Sequence, residues 1–221
     1  TGLEVTINST DKMSFDITVK NTSDKAATFH ISDIACNNLC LQRTDAYLES
    51  IVGNSEAKTH IDLGQSEWAA VSGNTPPGLI IAKMETYPAN ASIMTDENTW
   101  DGYLLLQLAD DMSSVKAIEF ADGWVEAYNK DGNQVLLRIG DSMRGTGKAL
   151  HAIYVNQTDY WDFASLTLSS DGEWEDGVTI GAYPDMLGLV EFDYADVVEN
   201  LSKLSISIEV GEDSVENIPL Q

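Results

Sequence analysis

Apolar and polar residues alternate along most of the chain at a period of two, the spacing of a strand with one buried face. Leu3, Val5 and Ile7 alternate first, and Phe15, Ile17 and Val19 follow after a polar turn. Val135, Leu137 and Ile139, then Leu150, Ala152 and Tyr154, repeat that figure in the second half. Clusters of Asn, Asp, Gly and Ser separate the runs, which predicts short strands joined by tight turns. Helical spacing is confined to a turn or two at Asp110 to Ser114 and at Ala195 to Leu201, where Val197, Val198 and Leu201 share a face.

The pattern occurs twice. Phe15 to Asp24 reads FDITVKNTSD, and Leu150 to Asp159 reads LHAIYVNQTD. Ile17 then lies over Ala152, Val19 over Tyr154, Asn21 over Asn156 and Asp24 over Asp159. Leu3, Val5 and Ile7 are set over Val135, Leu137 and Ile139. Near the ends, Leu104, Leu106 and Leu108 are set over Val190, Phe192 and Tyr194, and Phe120 over Ile206. Ordered matches with gaps in the loops mark a duplicated domain. These offsets make residues 43–100 an insertion in the first copy, so module 1 is expected at 1–128 and module 2 at 129–221. The boundary is placed at the turn signal Asn129-Lys130-Asp131-Gly132.

The totals narrow the function classes. A chain of 221 residues has room for two sandwiches of about 100 residues each. The apolar fraction of 43% supplies real cores. Thirty-six acidic residues against 12 basic ones give a net charge of −24, which repels nucleic acid and anionic membrane surfaces alike. The acidity is read as solubility, with divalent-cation binding and high-salt adaptation as the other readings. There is no apolar run long enough for a transmembrane segment, and neither an initiator Met nor a signal peptide; the expectation is a trimmed or mature product.

A resemblance rests on NKDGNQVLLRI, AIYVNQTD and LSSDG in the second copy and on GLEVTI, ITVKNTSDK and IACNN in the first. These stretches resemble the tandem immunoglobulin-like modules of predicted surface lipoproteins from Gram-positive gut bacteria, a family of unsettled function. The resemblance covers most of copy two and the outer parts of copy one. It implies an all-β fold of two tandem immunoglobulin-like antiparallel β-sandwiches with at most short helical turns. It also implies an extracellular or cell-surface location, with a lipid anchor upstream of residue 1.

Candidate chemistry is sparse. Gly140-Asp141-Ser142 resembles the nucleophile block of GDS-type esterases, but no D-x-x-H follows to supply the base. His151 is the one histidine downstream, and its alternation with core residues points it outward. The motif is therefore read as a decoy, a hairpin turn over Gly140 to Gly147, and no catalytic residue is assigned. His30, His60 and His151 have no zinc spacing. The acidic turn with Asp171, Glu173, Glu175 and Asp176 is the candidate calcium locus, although it departs from the EF-hand pattern and solvated turns are the plainer reading. No other cofactor is expected. Cys36 and Cys40 could form a disulfide or remain thiols. The N-x-[ST] sequons at Asn8, Asn21, Asn90, Asn156 and Asn200 are turn chemistry in a bacterial protein and glycan acceptors in a eukaryotic one.

One difference between the copies stands out. After the shared N-x-[ST]-D turn, copy one continues Lys25-Ala26 and copy two Tyr160-Trp161, with Trp174 further on. Large aromatics in turns suit either packing against the other copy, the plainer use, or a ligand surface. The expected function is a non-enzymatic extracellular binding or spacer protein whose partner is a surface glycan or protein. An extracellular hydrolase with an unrecognised site is the alternative.

Overall fold

The structure, a computed structural model, describes residues 2–10, 13–41, 46–63, 68, 75–89, 99–111, 113, 116, 123–143, 145, 147–170, 174–192 and 201–220. The strands are β1 (Leu3–Ser9), β2 (Ser14–Asn21), β3 (Ala27–Cys36), β4 (Leu39–Leu41), β5 (Ala46–Ile51), β6 (Ser55–Asp62), β7 (Leu79–Pro88), β8 (Trp100–Gln107), β9 (Val125–Lys130), β10 (Asn133–Asp141), β11 (Lys148–Val155), β12 (Asp162–Ser170), β13 (Trp174–Ala182), β14 (Leu187–Phe192), β15 (Leu204–Val210) and β16 (Asp213–Pro219). Helical structure among the described residues is limited to short turns such as Leu201–Lys203. No helix among them is long and apolar enough to cross a membrane.

The chain divides into two compact units, one holding β1–β3 and β5–β8, the other β4 and β9–β16. In unit 1, β1-β2-β6 form one antiparallel sheet and β5-β3-β7-β8 the other. Ile7, Phe15 and Ile61 from the first sheet and Ile31, Ile80 and Leu104 from the second line one internal cavity, so the two apolar faces meet. In unit 2, β13-β12-β15-β16 form one sheet. The other runs β9-β10-β11-β14, with β4 added in parallel along β14. Phe15, Ile17, Val19, Leu150, Ala152 and Tyr154 are all buried, as their alternation predicts.

Strand by strand, β1, β2, β3, β5, β6, β7 and β8 take the same partners as β10, β11, β12, β13, β14, β15 and β16. Unit 2 adds β9 and β4 at the two edges of its β10-β11-β14 sheet. A hairpin plus a later strand in one sheet, and the remaining strands in the other, is the wiring of an immunoglobulin-like sandwich.

The pairing changes several expected equivalences. Val5 faces Val19 and Val135 faces Tyr154, so Val135 corresponds to Val5 and not to Leu3. A slip of two residues returns every side chain to its own face, and alternation cannot detect it. Leu104 lies on β8 and Val190 on β14, strands with different partners. The counterpart of β14 is β6, which with β5 falls inside the stretch 43–100 expected as an insertion. That stretch supplies strands to both sheets of unit 1. Asp131 (φ 53°) and Gly132 (φ 89°) form the two-residue hairpin from β9 to β10, so the turn expected at the boundary lies within unit 2.

Cys36 and Cys40 are buried thiols and are not bridged. Between them Asn37, at φ 54°, takes the Gly78 N–H on its Oδ1 and donates from Nδ2 to the Pro76 and Lys116 carbonyls. Cys36 closes β3, and Cys40 pairs with Gly188 as part of β4. Burial is the largest influence on Cys36 and pushes its thiol up to about 12. Ellman's reagent at pH 8 should therefore leave Cys36 unreacted in the native protein and titrate it only on unfolding. Fast native reaction at Cys36 would contradict that placement.

The repeated N-x-[ST] sequence has a structural cause. Asn21 is fully buried at the end of β2, and its Nδ2 donates to the Lys25 carbonyl at 2.7 Å and the Ile51 carbonyl at 2.9 Å. Its Oδ1 accepts the Ser23 N–H at 3.0 Å and lies 2.8 Å from Ser23 Oγ. Asn156, also fully buried, directly follows β11 and bonds in the same way. Its Nδ2 donates to Tyr160 O at 2.9 Å and Ala182 O at 2.8 Å, and its Oδ1 accepts Thr158 N–H and Oγ1–H at 2.8 and 2.7 Å. The hydroxyl two residues on is what makes Ser or Thr the fitting residue there. In each unit the asparagine ties the strand that leaves one sheet to the turn that follows and to one strand of the other sheet. Truncation to Ala leaves two buried carbonyls and an amide N–H unsatisfied, a cost of about 3 kcal/mol. In urea unfolding followed by fluorescence, Asn156→Ala should lower the midpoint clearly, with Asn8→Ala unchanged. Equal midpoints for the two would remove the corner from its structural role.

Candidate functional site

The GDS segment forms the hairpin end expected of it: Ser142 N–H donates to Gly147 O at 2.7 Å, and Gly145 N–H to Ser142 O at 3.1 Å. What sequence reading missed is Glu191 on β14. Ser142 Oγ–H donates to Glu191 Oε1 at 2.7 Å. Met143 N–H reaches Glu191 Oε2 at 2.6 Å, and His151 Nε2 lies 2.9 Å from the same oxygen. Ser142, His151 and Glu191 are all buried. His151 does leave the sandwich core, as alternation implies, but it is buried because both faces of β11 are covered. The one signal for Glu191 was its place in the otherwise apolar run Leu187-Gly188-Leu189-Val190-Glu191-Phe192.

Burial alone would raise the Glu191 carboxyl, but hydrogen bonds from Ser142, Met143 N–H and His151 outweigh it and hold the group below its ordinary value of 4.5. An ionised carboxylate only accepts, so Nε2 of His151 carries the proton. The serine hydroxyl therefore points at a weak base, and serine and histidine share one carboxylate. In a nucleophilic triad the histidine stands between serine and carboxylate. Across the ladder Arg138 faces His151 and lies over the Trp124 ring at 4.7 Å. Chemically the cluster binds the β10–β11 turn to β14.

The aromatic residues lie elsewhere in unit 2. Tyr160 is 61% exposed, Trp161 39% and Phe163 44%. Phe163 points outward from β12, opposite Gly181 of β13, and its ring centroid is 5.9 Å from that of Trp161. The Trp161 indole lies directly on Gly181: a Cβ there would stand 2.3 Å from Cζ2 and 3.0 Å from Cε2 and Cη2. No other residue type fits under the ring. Its support thus comes from its own unit. Asp162 is engaged with Phe163 N–H and the Tyr154 hydroxyl. Trp174 opens β13, paired with Ser170. The corresponding corner of unit 1 has Ala26 and Ser50 in place of Trp161 and Gly181.

Of the four candidate calcium residues the structure describes Glu175 and Asp176. Asp171 and Glu173 lie outside the described residues. Glu175 and Asp176 are consecutive on β13, so their side chains take opposite faces of the sheet and cannot close on one ion. Among the described residues no group of three His, Cys, Asp or Glu side chains could hold a metal.

No protein-family model matches the chain, and no curated protein does. Among solved structures, red sea bream transglutaminase aligns with 99% of the chain at 10% identity and a TM-score of 0.28, and the chain spans 30% of that protein's length. The class 5 fimbriae chaperone CfaA aligns with 97% of it at 10% identity and a TM-score of 0.25, over 95% of the chaperone. A chaperone–tip adhesin complex of CFA/I fimbriae gives 98% coverage at 8% identity and a TM-score of 0.24, over 95% of that chain. At these TM-scores the likenesses carry no argument about function.

The Glu191 cluster makes stability depend on acid in a defined direction. A carboxyl held low when folded adds stability above its unfolded value and loses it as pH falls through the folded one. The stability advantage of wild type over Glu191→Gln should be full at neutral pH and shrink below about pH 4.5, the ordinary carboxyl value. Urea midpoints across pH 3–7 measure it; a constant difference would contradict the ionised carboxylate.

Proposed function

We propose that the chain is a non-enzymatic binding protein displayed outside the cell, and that it binds through the aromatic face of unit 2. The observation that carries this is Trp161: one ring face is seated on the Gly181 backbone and the ring remains substantially open to solvent beside exposed Phe163 and Tyr160. Exposed aromatic clusters of this kind mark interaction surfaces. A ring fixed before binding loses little freedom on contact. The cell-surface location, with a lipid anchor ahead of residue 1, is supported by the resemblance of NKDGNQVLLRI and AIYVNQTD to surface lipoprotein modules. Against a hydrolase stands the placement of Ser142, whose hydroxyl is buried and committed to a carboxylate occupied on both oxygens.

Two measurements test this reading. A fluorophosphonate probe should label no serine, and Ser142→Ala should leave the background unchanged; an adduct on Ser142 would turn the reading to the hydrolase. Labelled protein on arrays carrying extracellular proteins and glycans should bind at least one spot class and lose about tenfold or more in Trp161→Ala, the size expected for a hot-spot aromatic. Silence on both spot classes, or binding indifferent to Trp161, would overturn it.

A further inference from the structure

We infer that the partner is a neutral glycan, laid along the outer face of the β13-β12-β15-β16 sheet with Trp161 as its stacking platform. This rests on the binding reading above and names its ligand class.

The geometry at Trp161 suits a sugar ring. An aromatic face carries negative charge density and attracts the weakly positive C–H groups on one side of a pyranose. Trp161 lies on Gly181 and so offers a planar face whose position the sheet fixes. Phe163, tilted 43° to it at 5.9 Å, forms a second shallow wall. Tyr160, exposed on the same turn, adds a phenol that can donate to or accept from a hydroxyl.

Beyond the rings the same sheet face changes character. The outward positions following Phe163 on β12 are Ser165, Thr167 and Ser169. Their ladder partners are Thr179 and Glu209, then Gly177 and Ser207, then Glu175 and Ser205. Apart from Gly177 and the two carboxylates these side chains are short and hydroxylated, and no aliphatic residue stands among them. Beyond the three rings these positions offer a protein partner no apolar side chain to pack against. A chain of sugar hydroxyls meets hydroxyls and carboxylates that can accept from it, over a strip low enough to lie flat on.

Charge decides between classes of glycan. Glu175 and Glu209 flank the strip, Asp159 is exposed beside Tyr160, and none of these outward positions holds Lys or Arg. With a net charge of −24 on the whole chain, sulfated, phosphorylated or uronic-acid polymers are repelled. Neutral hexose and pentose polymers are not. Unit 1 repeats the wiring without the platform, with Ala26 and Ser50 at the equivalent corner, so the site belongs to unit 2.

Affinity gel electrophoresis of the whole chain tests the inference. The gels contain xylan, mannan, barley β-glucan, amylopectin or galactan, with polygalacturonate and chondroitin sulfate as anionic arms. At least one neutral polysaccharide should retard the protein. Trp161→Ala should weaken retardation about tenfold or more, Trp161→Phe should keep part of it, and Ala26→Ser in unit 1 should change nothing. The far-UV circular dichroism and the cooperative urea transition of Trp161→Ala should persist, which separates lost contact from lost fold. Retardation by anionic polymers alone, or retardation unaffected by Trp161→Ala, overturns the inference. If no polysaccharide retards the protein while arrays give Trp161-dependent binding to protein spots, the glycan falls and the binding reading stands. If both are silent, both fall.

Discussion

A buried asparagine holds each sandwich together at the point where the chain passes from one sheet to the other. Asn21 and Asn156 make the same bonds in the two units, to the turn that follows and to the far strand of the opposite sheet. A fully buried amide is costly unless every polar atom is matched. Here three of the four matching partners are backbone groups, so the asparagine fixes backbone positions. In unit 2 those groups are the carbonyls of Tyr160 and Ala182, the immediate neighbours of Trp161 and Gly181. The corner thus sets the aromatic ring and the glycine beneath it side by side. The same frame in unit 1 carries Ala26 and Ser50. One scaffold is built twice, and its exposed corner is furnished with rings once.

The strands that sequence reading found were those with one apolar face or with a counterpart in the other copy. Phe15, Ile17 and Val19 alternate cleanly because the other face of β2 is polar, whereas β11, buried on both faces, was legible through its match to β2 and the shared N-x-[ST]-D turn. β6 escaped because SEAKTHID buries only Ile61 among its side chains, and alternation with one apolar residue carries almost no signal. β14 was misassigned for the opposite reason: both of its faces are buried, so its run is apolar throughout and aligns with any strand. The N-x-[ST] match was the most reliable feature of the repeat, because it encodes a specific bond pattern where apolar alternation encodes only a face.

The proposed binding face was legible only at the aromatic turn, and there by comparison of the copies. Gly181 gave no sign in the sequence, since a seat for an indole reads as any glycine in a strand. The buried cluster at Ser142 reverses that lesson. GDS and His151 suggested chemistry by motif, but Glu191 assembles them into a polar tie between a hairpin turn and a neighbouring strand. The carboxylate accepts from three donors, two of them on buried residues, a structural need as pressing as any catalytic one.

The most direct measurement of the central claim is hydroxyl-radical footprinting of the whole chain, with and without a saturating neutral oligosaccharide, read residue by residue by mass spectrometry. Tyr160, Trp161 and Phe163 should be protected, and the exposed Tyr47 and Tyr103 of unit 1 should not change. Protection confined to unit 1, or an unchanged Trp161 in a sample where binding is demonstrated, would contradict the assignment of the binding face to unit 2.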